Sequence, residues 1–196
     1  MKSVYNFVVT PKGERYNNKK KVGDSELIIN TEIFNHQYVN REATVISIPI
    51  IGDTDIKTGD TVIVHHNVFR RWHNVKGIEK NSRSYFNEST YFINQDQIFL
   101  YKRDDEWKAP KGYCFVKPLK ATNPLNIDLE KPLQGIVKYS DGTVNIGDLI
   151  GYKPKTECEF IIDGERLYRV LSNLITIKYE YQGDEEEYNP SWAQSS

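Results

Sequence analysis

The sequence predicts an all-β protein built as two tandem copies of one small unit, and three observations carry that prediction. Residues 144–179 hold four apolar or alternating runs of strand length, Leu149-Ile150, 158–162, 167–171 and 174–178, separated by turn chemistry. Apolar residues there never recur at i, i+3 and i+4 over the length a helix needs. Three anchors also repeat in the same order: 56–64 matches 144–152, 96–100 matches 173–177, and 5–8 (Tyr-Asn-Phe-Val) matches 113–116 (Tyr-Cys-Phe-Val). The offsets are 108, 88 and 77, as a duplication with longer loops in its first copy requires.

Taken in order, residues 4–9 form a short apolar strand closed by Pro11-Lys12-Gly13. Residues 14–25 are polar, cationic and nearly free of side chains a core would accept, so they read as a mobile loop. The apolar triplet Leu27-Ile28-Ile29 stands at its far end, and 31–40 shows no clear period. Residues 43–51 resume as a strand ended by Pro49 or by Gly52-Asp53, and 61–64 make the next. Residues 67–84 are an insertion without counterpart in the second copy. Tyr85-Phe86 and 91–93 supply strands before 98–101.

Residues 103–112 are charged and end in Pro and Gly, which marks a linker. The first domain is therefore set at 1–105 and the second at 111–182. In the second, 113–116 open the copy, 119–132 shorten the first copy's loop, 135–137 are a strand and Asp141-Gly142 a turn. The block 144–179 then reads as a meander curling into part of a small barrel. Asp163-Gly164 suits its hairpin, because a type I′ turn needs positive φ at both central residues. Residues 183–196 read as an acidic flexible tail in which Trp192 offers a docking side chain.

Composition narrows the function classes. Lys plus Arg number 26 against 27 Asp plus Glu, a net charge of −1, so no broad basic field favours nucleic acid. Cys114 and Cys158 both lie in strand-like runs and read as small apolar fillers of a protein in the reducing cytosol. No apolar run approaches membrane-spanning length and the first residues lack a signal-peptide core, so the expected location is the cytoplasm, with no membrane partner. Neither P-loop, GxGxxG, CxxC, HExxH nor GxSxG is present, so no enzymatic activity, cofactor or metal is expected. His65 and His66, adjacent on a strand, point to opposite faces and cannot share an ion, and with His36 and His73 they read as surface residues. Lys19-Lys20-Lys21 reads as a solvated loop, and Arg70-Arg71-Trp72-His73 as an exposed hairpin. The triplet Leu27-Ile28-Ile29 is different: an apolar group on a polar loop is a docking element for a groove.

The block 144–180, with its V-x-x-GD strand opening, its Ile-Asp-Gly-Glu hairpin and its closing strand after Ser172-Asn173, resembles the carboxy-terminal half of the GroES-type co-chaperonin domain. YNFVVTP and YCFVKP are similar to that family's first strand. The resemblance covers most of 111–181 and extends more thinly over 4–102. It implies two tandem GroES-like small irregular β-barrels and a homo-oligomeric ring that caps a GroEL-type chaperonin. It also implies a mobile loop whose apolar tripeptide binds that chaperonin, falling here on Leu27, Ile28 and Ile29, with Ile33-Phe34 the neighbouring candidate. The second copy's loop offers Leu125, Ile127 and Leu129, but the first copy is expected to dock and the second to build structure. The family pattern has no counterpart to 67–84. Richness in Asn, Lys, Ile and Tyr fits an AT-rich bacterial or bacteriophage genome. The rival expectation is therefore a phage structural or assembly protein built from paired β-barrels with no chaperonin role.

Overall fold

The computed structural model describes residues 3–16, 19–28, 39–122, 130–180, 183 and 185–195. These residues make an all-β structure of antiparallel sheets, none closed into a barrel. The chain divides into two units, Met1–Glu106 and Trp107–Ser196.

In the first unit the strands are β1 (Phe7–Pro11), β4 (Glu42–Ser47), β5 (Thr61–Val64), β8 (Tyr85–Asn87), β9 (Thr90–Ile93) and β10 (Ile98–Arg103). Two separate hairpins join them, β2 (Lys19–Val22) with β3 (Ser25–Ile28) and β6 (Arg71–His73) with β7 (Glu79–Asn81). The main sheet of this unit runs β8-β9-β1-β4-β5-β10. Asp104 and Asp105, at φ 51° and 63°, turn the chain from β10 into β11 (Glu106–Lys108), so the predicted linker is largely strand and tight turn.

The second unit comprises β12 (Tyr113–Lys120), β13 (Glu130–Ser140), β14 (Leu149–Tyr152), β15 (Cys158–Ile162), β16 (Glu165–Leu171) and β17 (Ile175–Tyr179). Its sheet order is β15-β16-β12-β13-β14-β17, the order of the first unit strand for strand. The predicted meander is thereby corrected: β14 and β15 lie on opposite sides of the sheet, and β17 pairs with β14. Only β15 and β16 form a local hairpin, through Asp163 (φ 50°) and Gly164 (φ 77°) as the turn chemistry predicts.

Registers fix the equivalence residue by residue. Val9 pairs with Val45 and Tyr91, and Val116 pairs with Val137 and Tyr168. Each of these first strands shifts register immediately before that valine, between Val8 and Val9 and between Phe115 and Val116. Val9 therefore answers Val116, one residue away from the match read in sequence, where Val8 was its partner. The letters Tyr-x-Phe-Val are alike in both copies, but a one-residue slip would turn every side chain to the wrong face. Downstream the sequence matches need no shift. Gly59 N and Gly147 N donate to the carbonyls of Val45 and Val137, and His65 N and Lys153 N to those of Gln97 and Leu174. Buried Phe7, Val9, Val45, Val62, Val64 and Ile93 correspond to Cys114, Val116, Val137, Ile150, Tyr152 and Val170. Burying a side chain of this size contributes about 1.5–3 kcal/mol, so both cores rest on the same positions.

Short links force both sheets to coil. Leu171 pairs with Tyr113 at the start of β12, while Ile175 pairs with Tyr152 at the end of β14. In a flat sheet the four strand spacings between β16 and β17 alone would separate them by about 19 Å. Four residues reach about 14 Å fully stretched, and here they are wound into a 3-10 turn, Ser172–Leu174. Diagonal corners of the sheet must therefore meet. Ile93 and Ile98, flanking the turn Gln95–Gln97, impose the same coiling on the first unit.

The tail, read as flexible, is laid along β12 and β16 over 185–195. Lys120 N donates to Glu186 O at 2.8 Å and Tyr188 N to Pro118 O at 2.8 Å. Asn189 accepts from Arg166 N and donates to Gly164 O. Ala193 is fully buried, and the Arg166 guanidinium, paired with Glu130 and Glu159, faces the rings of Tyr188 and Trp192. Cys114 is core, its thiol pushed up to about 12 by burial and then by Asp141, whereas Cys158 is exposed instead of buried and accepts from Arg169.

Asp141 ties three segments of the second unit, accepting from Gly112 N, Thr143 N and the Ser172 hydroxyl at 2.7, 3.0 and 2.9 Å. Desolvation pushes its carboxyl up, but these donors together outweigh it and hold the group below its ordinary value. A depressed carboxylate contributes its stability above the unfolded-state value of about 3.9 and loses it as pH falls through the folded one. Replacing Asp141 with Asn is expected to cost about 1 kcal/mol or more, hence about 4–8 °C in the melting temperature of the second unit at pH 7. In thermal melts from pH 7 to pH 3 the gap between wild type and variant narrows below about pH 4.

Candidate functional site

The long excursion between β1 and β4 leaves the first unit through a closed neck. Tyr16 and Val39, both buried, pair across it, and Asn40 N donates to Arg15 O at 2.9 Å. Asn40 is itself buried and satisfies three main-chain groups. Its amide donates to Lys12 O at 3.0 Å and Glu14 O at 2.9 Å, and its side-chain oxygen accepts from Glu42 N at 2.8 Å. The Tyr16 hydroxyl meets the main chain of Arg71, and the Arg71 guanidinium lies over the Tyr16 ring. Arg15, 8% exposed, donates to Phe69 O and Asn81 and faces the rings of Tyr85 and Tyr91.

Beyond the neck stands the hairpin of β2 and β3, where a mobile loop was expected over 14–25. Val22 pairs with Ser25 around Gly23-Asp24, Lys20 with Leu27 and Lys19 with Ile28. Gly23 takes φ 62° at the first central position, which a two-residue II′ turn requires and which glycine alone accepts without strain. Three lysines in a row therefore do not prevent strand formation, because the partner strand supplies the pairing.

Leu27 is 57% exposed and Val22 52% exposed. Cross-strand partners share a face and so do residues two apart, so Leu27, Ser25 and Val22 occupy one face of the hairpin. Of the predicted docking residues, Leu27 and Ile28 lie on β3, while Ile29 and the neighbouring candidate Ile33-Phe34 fall outside the described residues. Leu125, Ile127 and Leu129 of the second copy also fall outside them. Sequence reading missed Val22, whose link to Leu27 depends on a hairpin register that no local apolar pattern announces.

The histidines are arranged differently from the expectation. His65 and His66 follow β5 in a turn, and their rings stack at 4.2 Å instead of facing opposite ways. His65 Nδ1 accepts from Asn67 N at 3.0 Å. His73 lies on β6, and His36 is outside the described residues. Among the described residues no group of three or more His, Cys, Asp or Glu is placed to hold a metal ion, and no helix is long and apolar enough to cross a membrane. Compared with known protein families and with curated proteins, the chain matches none.

Because Asn40 is buried and bonded three ways, Asn40→Ala orphans Lys12 O, Glu14 O and Glu42 N at once. The expected cost is about 1–3 kcal/mol, seen as a lower melting temperature for the first unit. Limited proteolysis should also show faster cleavage within 17–38.

Proposed function

We propose that this chain is a co-chaperonin. It forms a ring-shaped lid on a GroEL-type chaperonin in the cytoplasm, which is the host cytoplasm if a phage encodes it, and assists ATP-dependent folding without chemistry of its own. Each unit is then a GroES-like small barrel, and the coiling forced by the links at 94–97 and 172–174 supports that finer reading. The observation that carries the proposal is two exposed apolar side chains on one face of the β2–β3 hairpin, Leu27 and Val22 at diagonal positions beyond a neck clamped by Asn40. Leu27, Ile28 and Ile29 make the contact, as the resemblance implies.

The physical scheme needs each contact to be weak. Ordering a docking segment costs several kcal/mol of its interaction energy, and a turn already closed at Gly23 reduces that cost. Several hairpins on one ring then act together, and avidity gains on the order of a hundredfold or more restore tight capture. Such a lid releases when the chaperonin changes state, since a small loss per contact multiplies around the ring. Binding and hydrolysis of ATP belong to the chaperonin.

Leu27→Asp and Ile28→Asp are expected to lower capture of a purified GroEL-type chaperonin at least about tenfold, the equivalent of about 1.4 kcal/mol. For Leu27→Asp the melting temperature should stay unchanged, because the side chain lies at the surface. Pull-down with nucleotide reads the effect. Undiminished capture by both variants, or no capture by wild type, contradicts the proposal and favours a phage assembly protein.

A further inference from the structure

The shared frame leaves a recess in one unit that the other fills. Val64 and Tyr152 occupy matching core positions, and so do Tyr91 and Tyr168, the partners of Val9 and Val116. In the first unit Phe69, at the root of the insertion, is fully buried and sets its ring edge-on to Tyr91 at 4.7 Å. Counted along the chain from Val64 and Tyr152, the residue that answers Phe69 is Glu157. A carboxylate cannot plug an apolar core without losing its hydration, and here the second unit stays open. A recess of about 190 Å³ is bounded by Glu157, Tyr152, Tyr168, Glu130, Pro132 and Leu133, together with Lys131. That is smaller than the roughly 300 Å³ at which sites for drug-sized ligands begin, so it suits one group the size of a side chain.

The polar groups of the recess define what it takes. Tyr152 is 6% exposed, yet its hydroxyl makes no hydrogen bond among the described residues and is not sealed from solvent. Glu130 is already answered, accepting from the Arg166 guanidinium at 2.6 Å and from the Tyr168 hydroxyl at 2.7 Å. Glu157 accepts from Thr156 N at 2.8 Å through one oxygen and has no ion pair among the described residues. Burial pushes the Tyr152 hydroxyl above its ordinary value, Glu157 and then Glu130 push it further, and Arg166 acts against them. The hydroxyl therefore stays neutral in a negative field, to which the charge of Lys131 adds nothing. Its oxygen is free to accept a hydrogen bond, the Glu157 carboxylate accepts another, and an ammonium offers three donors and no acceptor. Pro132 and Leu133 give an alkyl stem an apolar wall, with Leu133 also packed on the core.

We infer that this recess of the second unit binds an alkylammonium group, its nitrogen donating to the Tyr152 hydroxyl oxygen and to Glu157 and its methylenes lying against Pro132 and Leu133. A small free amine and a lysine side chain of a bound polypeptide present the same chemistry. The site goes beyond the docking role given to Leu27, Ile28 and Ile29 and does not depend on it.

Calorimetric titration of the full chain with n-butylammonium and with Nα-acetyl-lysine methylamide tests it, with butan-1-ol as the uncharged control of the same shape. At least one of the two amines is expected to bind with a Kd of about 1 mM or tighter, and butan-1-ol is not. Tyr152→Phe removes only an unpaired hydroxyl, so the melting temperature should hold while affinity falls at least about fivefold. Glu157→Gln removes the charge and keeps the shape, and affinity should fall at least about tenfold. Binding of both amines supports the site for either source. Binding of n-butylammonium alone assigns it to free amines, and binding of the lysine derivative alone assigns it to a polypeptide. No binding of either amine at about 10 mM, equal binding of butan-1-ol, or unchanged affinity in either variant overturns the inference.

Discussion

Both units depend on a link too short for a flat sheet. Four residues carry the chain from Leu171, beside the beginning of β12, to Ile175, beside the end of β14, and the same holds from Ile93 to Ile98 with one residue more. Once those corners are drawn together, the inner face becomes a narrow core in which Val9 or Val116 faces Tyr91 or Tyr168. A register shift in the first strand of each unit supplies the bend, as bulges do where sheets turn corners. Close approach within the second unit is tight enough that a Cβ on Gly135 would stand 2.7 Å from Lys117 O. The meeting of the corners and the narrowness of the core follow from this one restraint.

Most of that organisation was legible because it rests on short-range chemistry. Gly59-Asp60 and Gly147-Asp148 announce strand openings that the structure uses identically, with Asp60 and Asp148 each accepting from the main chain three residues back. Asp163-Gly164 announces its hairpin for the reason that positive φ is cheap there. What the residues could not announce was pairing over distance. The placement of β14 and β15 on opposite sides of the sheet depends on the coiling, so consecutive strands were read as neighbours. The one-residue error in the first-strand match arose because apolar letters alternate on both faces of a strand buried on both sides, where Phe7, Val8 and Val9 are all core. At the candidate site, Leu27 was visible as an apolar residue out of context, whereas Val22 needed the register of β2 against β3. The tail was misread because its acidic residues find Lys117 and Lys120, partners that lie some seventy positions away.

The two units share a frame and differ in what they hang on it. The first carries the neck clamped by Asn40, the β2–β3 hairpin beyond it and the rooted insertion with Val75 at its tip. The second shortens the corresponding segments and spends its polar side chains on holding itself together, through Asp141 and through Arg166 with Glu130 and Glu159. The asymmetry is one of what each frame carries: exposed apolar hairpins on the first, internal polar ties on the second. Exposed apolar side chains on hydrogen-bonded hairpins are inexpensive to maintain in a monomer, and each becomes useful only against a complementary surface.

The central claim is that the β2–β3 hairpin is a docking element whose partner is a GroEL-type chaperonin. Hydrogen exchange of the intact chain, measured with and without that chaperonin and nucleotide, tests it directly, because amides of a hairpin exchange slowly only while the hairpin is held. The account predicts that 19–28 gain protection on mixing while the amides of β12 and β16 keep the rates they had alone. Unchanged exchange across 19–28 under conditions where the two proteins are shown to associate would contradict it.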